Sequence, residues 1–210
     1  MKSLAYAGVT WPGIVAWDDM RTAFKEWAVI VDALGRGEQI IILRKGGISE
    51  GPGGFQMEHP QFLLFPTLYH QQRESVTLEA QERYDQIAPG LAPPEILRIE
   101  YVAEVVEMRR VESLSAAEGL RGQHCWKNEV IADRFDWGRE KNIFAIAVRV
   151  RRLPLAIELP MSPAYGGCKS WVELEKDIAV TDATPVLDQQ AFDRKLSHFL
   201  AALNPAGQLG

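Results

Sequence analysis

Apolar side chains recur near the start of the chain at spacings of four and three: Met20, Phe24, Trp27, Val31 and Leu34. That stripe predicts an amphipathic helix opening at Asp18 or Asp19, whose short acidic side chains suit free backbone N–H groups. Gly35 and Gly37 supply the stop. The run "QIIIL", Gln39 to Leu43, follows as a short buried strand ending in Arg44-Lys45. Gly46 to Gly54 is read as loop, and Phe62 to Phe65 as a second short strand bracketed by Pro60 and Pro66, since proline cannot donate to a ladder. Leu68 to about Glu74 is expected to make a helical turn, and the Pro-rich stretch up to Pro94 a surface connection.

Strict alternation begins after Pro94. Leu97, Ile99, Tyr101, Ala103 and Val105 fall on one side, with Arg98, Glu100 and Glu104 on the other, which predicts a half-exposed antiparallel strand. "SLSAAEGLRG" reads as a short helix ended by glycine, and Cys125 to Phe135 as another helix. "NIFAIAVRVRRL" is apolar on both faces in its first half and so is expected to be central, with Arg149 and Arg151 emerging further on. "KSWVELE" reads as a later strand, and Phe192, Leu196, Phe199 and Leu203 mark an amphipathic helix from Leu187 to Leu203. The order of elements is not a regular βαβ alternation. It predicts an α+β fold around a mixed or mostly antiparallel sheet, or a partly closed small barrel, flanked by helices. The expected organisation is an N-terminal arm over 1–17, one α+β domain over 18–204 and a frayed tail over 205–210.

Composition changes this picture little. The chain has 210 residues, 47% of them hydrophobic and 24% charged, which suits a globular protein with a real core. A net charge of −5 excludes a chain that neutralises nucleic acid over its whole surface but leaves a local basic face open. Two cysteines, Cys125 and Cys168, are too few for a disulfide scaffold and fit a reducing compartment. Trp11-Pro12-Gly13 breaks the first apolar run before it can serve as a signal peptide, and no stretch is long enough to span a membrane, so a cytoplasmic location is expected.

Two stretches together resemble a known family. "FKEWAVIVDALGRGEQIIILRKGGISEG…F…EHPQFLLFPTLYHQ" is similar to the opening, and "IFAIAVRVRRLP…YGGCKSWVEL" to the closing block, of the bacterial family called domain of unknown function 1802. The likeness rests on Arg44-Lys45-Gly46-Gly47-Ile48, on Phe65-Pro66-Thr67 with His70-Gln71, and on Tyr165 with Gly167-Cys168 and Ser170-Trp171. That family has no established activity. The resemblance implies a link to DNA restriction or modification, because some members are joined to a restriction-type endonuclease domain. The early order of elements also resembles small nucleic-acid-binding barrels of the PUA and ASCH kind.

The candidate chemistry lies in the same segments. Arg44, Lys45, Gly46 and Gly47 join two cations to glycines that let backbone N–H groups approach an anion, although no P-loop spacing follows. The plain reading is a strand end with solvated charges. Tyr165, Lys169 and Trp171 surround a second Gly-Gly, as base stacking with a phosphate contact requires, and can equally pack a barrel end. Thr67, His70 and Gln71 join the candidate ligand-binding residues through the resemblance. Arg149, Arg151, Arg109 and Arg110 can add a basic stripe. Glu50, Glu58, His59 and His70 are the residues a metal-dependent phosphodiesterase or nuclease would use, without any spaced ligand pattern to support a metal. Cys125 and Cys168 form no C-x-x-C and read as small apolar groups. No serine-hydrolase, kinase or dinucleotide motif occurs. The first reading is therefore a nucleic-acid or nucleotide binding module. A metal-dependent enzyme and an accessory protein-binding domain are the alternatives, with cofactor and oligomeric state open.

Overall fold

The computed structural model describes residues 5–6, 9–10, 17, 19–45, 57–68, 72–138 and 140–204. Nine strands occur among them: β1 Ala5–Tyr6, β2 Val9–Thr10, β3 Met20–Trp27, β4 Ile41–Arg44, β5 Gln61–Thr67, β6 Ile96–Val111, β7 Ile143–Pro160, β8 Trp171–Ile178 and β9 Thr184–Pro185. Five α-helices accompany them: α1 Ala28–Gly35, α2 Leu78–Ile87, α3 Leu114–Glu118, α4 Asn128–Asp136 and α5 Gln189–Leu203. The protein is α+β. Seven strands make one mixed sheet in the order β4-β7-β6-β5-β3-β8, with β9 added to β7, while β1 and β2 pair with each other. Only β3 and β5 run parallel; the other pairs are antiparallel.

The expected helix over 18–34 is corrected. Met20 to Trp27 is a strand, and only Ala28 to Gly35 is helical. Met20 packs on the smaller core and Phe24 in the larger, with a register slip between Met20 and Thr22, so the apparent helical stripe is split between two faces of a strand. The neighbours decide: Ala23 to Trp27 pair with Leu63 to Thr67 of β5, and Thr22 to Phe24 pair with β8. Because β3 is covered on both faces, Ala23, Phe24, Lys25 and Glu26 are all buried and no alternation survives to be read. The helix that follows is short and buried on nearly every side, and Gly37 at φ 68° turns the chain out of it.

Other elements follow the patterning more closely. β4, β8 and α3 lie where alternation and glycine place them, and α5 is capped by Asp188, whose Oδ1 accepts a 2.7 Å bond from Ala191 N–H. The first half of β7 is buried between β4 and β6. Pro66 lies inside β5, past Leu63, where pairing with β6 ends and a missing N–H breaks no ladder on that side. The Pro-rich connection contains a true helix, α2, and α4 begins at Asn128 rather than at Cys125. The segments Gly46 to Gly54 and 205–210 lie outside the described residues.

Adjacent residues of the central strands feed two cores on opposite faces of the sheet. Phe24, Phe62, Leu64 and Ala103 join the larger one, with α1, α4 and α5; Ala23, Leu63, Phe65 and Val102 join the smaller one, with Tyr165 and Leu174. The single expected face of β6 is corrected too. Leu97 and Ile99 pack in the smaller core, whereas Tyr101, Ala103 and Val105 pack in the larger. The register slips between Ile99 and Tyr101, and that slip inverts the alternation; a second slip between Val105 and Glu107 brings Met108 onto the larger core. The sheet also curls. β4 and β3 are far apart in strand order, yet Arg44 at the end of β4 donates from Nη2 to the Lys25 carbonyl of β3.

Candidate functional site

The seam between β4 and β3 collects the unusual chemistry. The Arg44 guanidinium lies over the Phe24 ring, 4.4 Å from its centroid. The Trp171 ring, at the start of β8, packs on the same Phe24 at 4.8 Å and on Phe62 and His59 at 5.2 Å each. Two segments more than a hundred residues apart thus meet on one phenylalanine. Parity explains this: Phe24 pairs directly with Trp171, so both side chains leave the sheet on the same face.

Glu26, two residues on, projects to that face as well. Only 2% of its side chain is exposed, and its Oε2 stands 3.7 Å from Arg44 Nη2. Its Oε1 accepts a 2.7 Å bond from Trp27 N–H, but Oε2 has no hydrogen-bond partner among the described residues, and neither has the buried Nε of Arg44. Arg134 of α4 completes the group. Its guanidinium lies 4.9 Å from the Trp27 centroid and 5.2 Å from that of Trp126, and its Nη1 donates to the Leu43 carbonyl at 3.3 Å. Burial pulls the Arg134 pKa down to about 10, with Glu26 acting to raise it and Arg44 to lower it. Two guanidiniums, those of Arg44 and Arg134, thus influence one buried carboxylate. The buried side chains of Gln72, Trp126 and His124 each have one polar atom without a hydrogen-bond partner among the described residues: Oε1, Nε1 and Nδ1.

The remaining residues singled out from the sequence go elsewhere or hold the frame. Lys45 turns toward α4, where its Nζ donates to the carbonyls of Phe135 (3.1 Å), Asn142 (2.8 Å) and Glu140. Burial and the neighbouring Lys141 lower its pKa. Thr67 Oγ1 donates to the Glu26 carbonyl at 3.0 Å and ties β5 to the base of the seam. Tyr165 faces the smaller core, edge-on to Phe65, and its hydroxyl accepts a 3.0 Å bond from Glu175 N–H. Lys169 bonds the Ala164 carbonyl at 2.8 Å. Lys25, on the face opposite Glu26, donates to the Gly167 carbonyl at 3.1 Å and so joins the second glycine turn to β3. Gly46, Gly47, His70, Gln71 and Glu50 lie outside the described residues.

The arginines of the expected basic stripe are each engaged. Arg149 covers Phe192 and bonds Gln189, Arg151 covers Trp17 and bonds the Ala183 carbonyl, and Arg109 and Arg110 pair with Glu107 and Glu140. Among the described residues no three His, Cys, Asp or Glu side chains gather as a metal site requires. Burial pushes the Cys125 thiol up to about 12, far from the thiolate range a nucleophile needs. A cavity of about 890 Å³ opens between α1, α2 and the segment before α4, but the arginines of α1 and α2 there are already paired, Arg36 with Asp32 and Glu38, Arg83 with Asp32. Among the described residues no helix is long and apolar enough to cross a membrane.

Glu26 and Arg134 are not singled out by sequence reasoning. A Glu between Lys25 and Trp27 looks like a solvated charge, and an arginine in the last turn of a helix looks like an ordinary dipole partner.

The profile described as "Domain of unknown function (DUF1802)" matches residues 23–198, a span that contains every residue of this seam. The chain belongs to the DUF1802 family. Two solved structures are similar to it in fold, both mutant forms of the ZmASCH protein from Zymomonas mobilis. One is 9% identical with a TM-score of 0.41, covering 86% of this chain and 97% of that one. The other is 10% identical with a TM-score of 0.39, covering 84% and 96%. No curated protein matches the chain significantly.

Proposed function

We propose that this DUF1802 chain is a nucleic-acid or nucleotide binding module whose contact site is the seam formed by Arg44, Phe24, Glu26, Arg134 and Trp171. The observation that carries the reading is the shared stack. A guanidinium and an indole sit against one phenylalanine, with a second guanidinium, that of Arg134, over the neighbouring Trp27 ring. Aromatic and guanidinium planes accept bases, and a cation in a partly dry site attracts the strand's charge. Thr67 supports the frame, Lys45 has a structural part at the end of α4, and Lys25 and Lys169 hold the second glycine turn through backbone carbonyls on the other face of the sheet. A place in DNA restriction or modification is the finer form of this reading, and duplexes carrying modified bases are the probes for it.

The test is a binding titration with single-stranded and duplex DNA and RNA, modified-base duplexes included, across a salt series. Binding at low salt that weakens about tenfold or more in Arg44→Ala and in Trp171→Ala supports the reading, a stacked base being worth about 1–3 kcal/mol. Absence of binding at low salt, or binding indifferent to both substitutions, removes it.

A further inference from the structure

Resting on that reading, we infer that the seam takes the edge of one unstacked nucleobase, not a phosphate group. Among the described residues Glu26 Oε2 is an acceptor without a hydrogen-bond donor and Arg44 Nε a donor without an acceptor, on two side chains whose nearest charged atoms form an ion pair at 3.7 Å. A phosphodiester offers acceptors only. It can satisfy Arg44 but leaves Glu26 unbonded and repelled. A base edge places an N–H beside a carbonyl or ring nitrogen and satisfies both atoms at once, the amino group of cytosine on a carboxylate being the simplest case. The carboxylate thus makes the seam read bases, while the Arg134 guanidinium, held over Trp27 and on the Leu43 carbonyl, favours the approach of the backbone without requiring direct contact.

Depth sets the form of the nucleic acid. Glu26 is nearly closed to solvent, and Arg44, at 24% side-chain exposure, is the outer member of the pair. A stacked, paired base cannot reach behind it, so the target is a single strand or an extruded nucleotide. Rotation of a part-exposed arginine is fast on the time scale of binding and can open the way.

Binding of the full chain to a single-stranded oligonucleotide is compared with binding to an abasic strand of the same length, with free nucleosides and inorganic phosphate as competitors. The abasic strand is expected to bind at least about tenfold more weakly, in line with one good bidentate contact. Uncharged nucleosides are expected to displace the strand, and phosphate at equal concentration is not. Glu26→Gln, with its fold checked by circular dichroism, is expected to weaken the base-bearing strand and to strengthen, if anything, the abasic one, whose backbone is no longer repelled. If that variant does not fold, the competition with unmodified protein still decides. Equal affinity for abasic and base-bearing strands overturns the base-edge inference while the binding module stands; no binding to either removes both.

Discussion

Two regions flank β3 and treat polar groups in opposite ways. On the face of Lys25, around the second glycine turn, the Tyr165 hydroxyl, the Lys25 ammonium and the Lys169 ammonium each meet a backbone partner, at 3.0, 3.1 and 2.8 Å. On the face of Glu26, one carboxylate oxygen, one guanidinium nitrogen, one indole nitrogen and one imidazole nitrogen are buried without a hydrogen bond among the described residues. Burying such groups unpaired costs about 1–3 kcal/mol each, so an ordered water or another molecule is expected to complete them. The first region is a buckle that holds β8 and its turn on the sheet. The second is the proposed contact site. Arg44 and Lys45 show the same division in neighbouring residues: Lys45 spends its donors on carbonyls, and Arg44 keeps one back.

Substitutions can break this contrast, the largest first. Phe24→Ala removes the ring on which Arg44 and Trp171 both rest, and it should cost about 3–5 kcal/mol in chemical denaturation. A loss under about 1 kcal/mol would mean that the stack supports nothing.

The next effect is a pH dependence. Burial lowers the His124 pKa to about 4, with Arg134 adding to the shift. Between pH 6.5 and 4 the unfolded chain binds a proton there that the folded chain refuses. Stability is therefore full above 6.5 and falls as the pH drops toward 4, by about 3 kcal/mol from this residue. His124→Gln should flatten that part of the profile, and a variant with an unchanged slope would place the titration elsewhere.

Lys45→Met strips three carbonyls of their donor and should lose about 2 kcal/mol, whereas Arg44→Met, which gives up one backbone bond and a part-exposed charge, should lose less. The reverse order of melting temperatures would merge the two regions into one. Smallest is Tyr165→Phe, which leaves Glu175 N–H without its acceptor and should cost about 1 kcal/mol with no change in binding. A drop in affinity there would move the contact site to the buckle side.

What sequence patterning reveals follows the same physics. β4, β7, β8 and α5 are legible because each has one partner surface, or two apolar ones, that leave a simple period, whereas β6 is legible as a strand but its slips hide which face each residue takes. β3 is not, because Thr22, Lys25 and Glu26 interrupt its apolar run while both faces are covered. Arg44 and Trp171 draw attention because each stands near a glycine pair. Glu26 and Arg134 carry no local signal at all, since what makes them unusual is a contact between distant strands and a helix that only the curled sheet creates.

The slips along β6 reach beyond stability, into how this lineage can vary. Because the strand swaps sides between Ile99 and Tyr101, removing one codon there would exchange the destinations of every residue upstream, sending Leu97 and Ile99 into the territory of Tyr101. Replacing a single letter at the same place disturbs one contact. Heredity is thus freer to respell this stretch than to lengthen or shorten it.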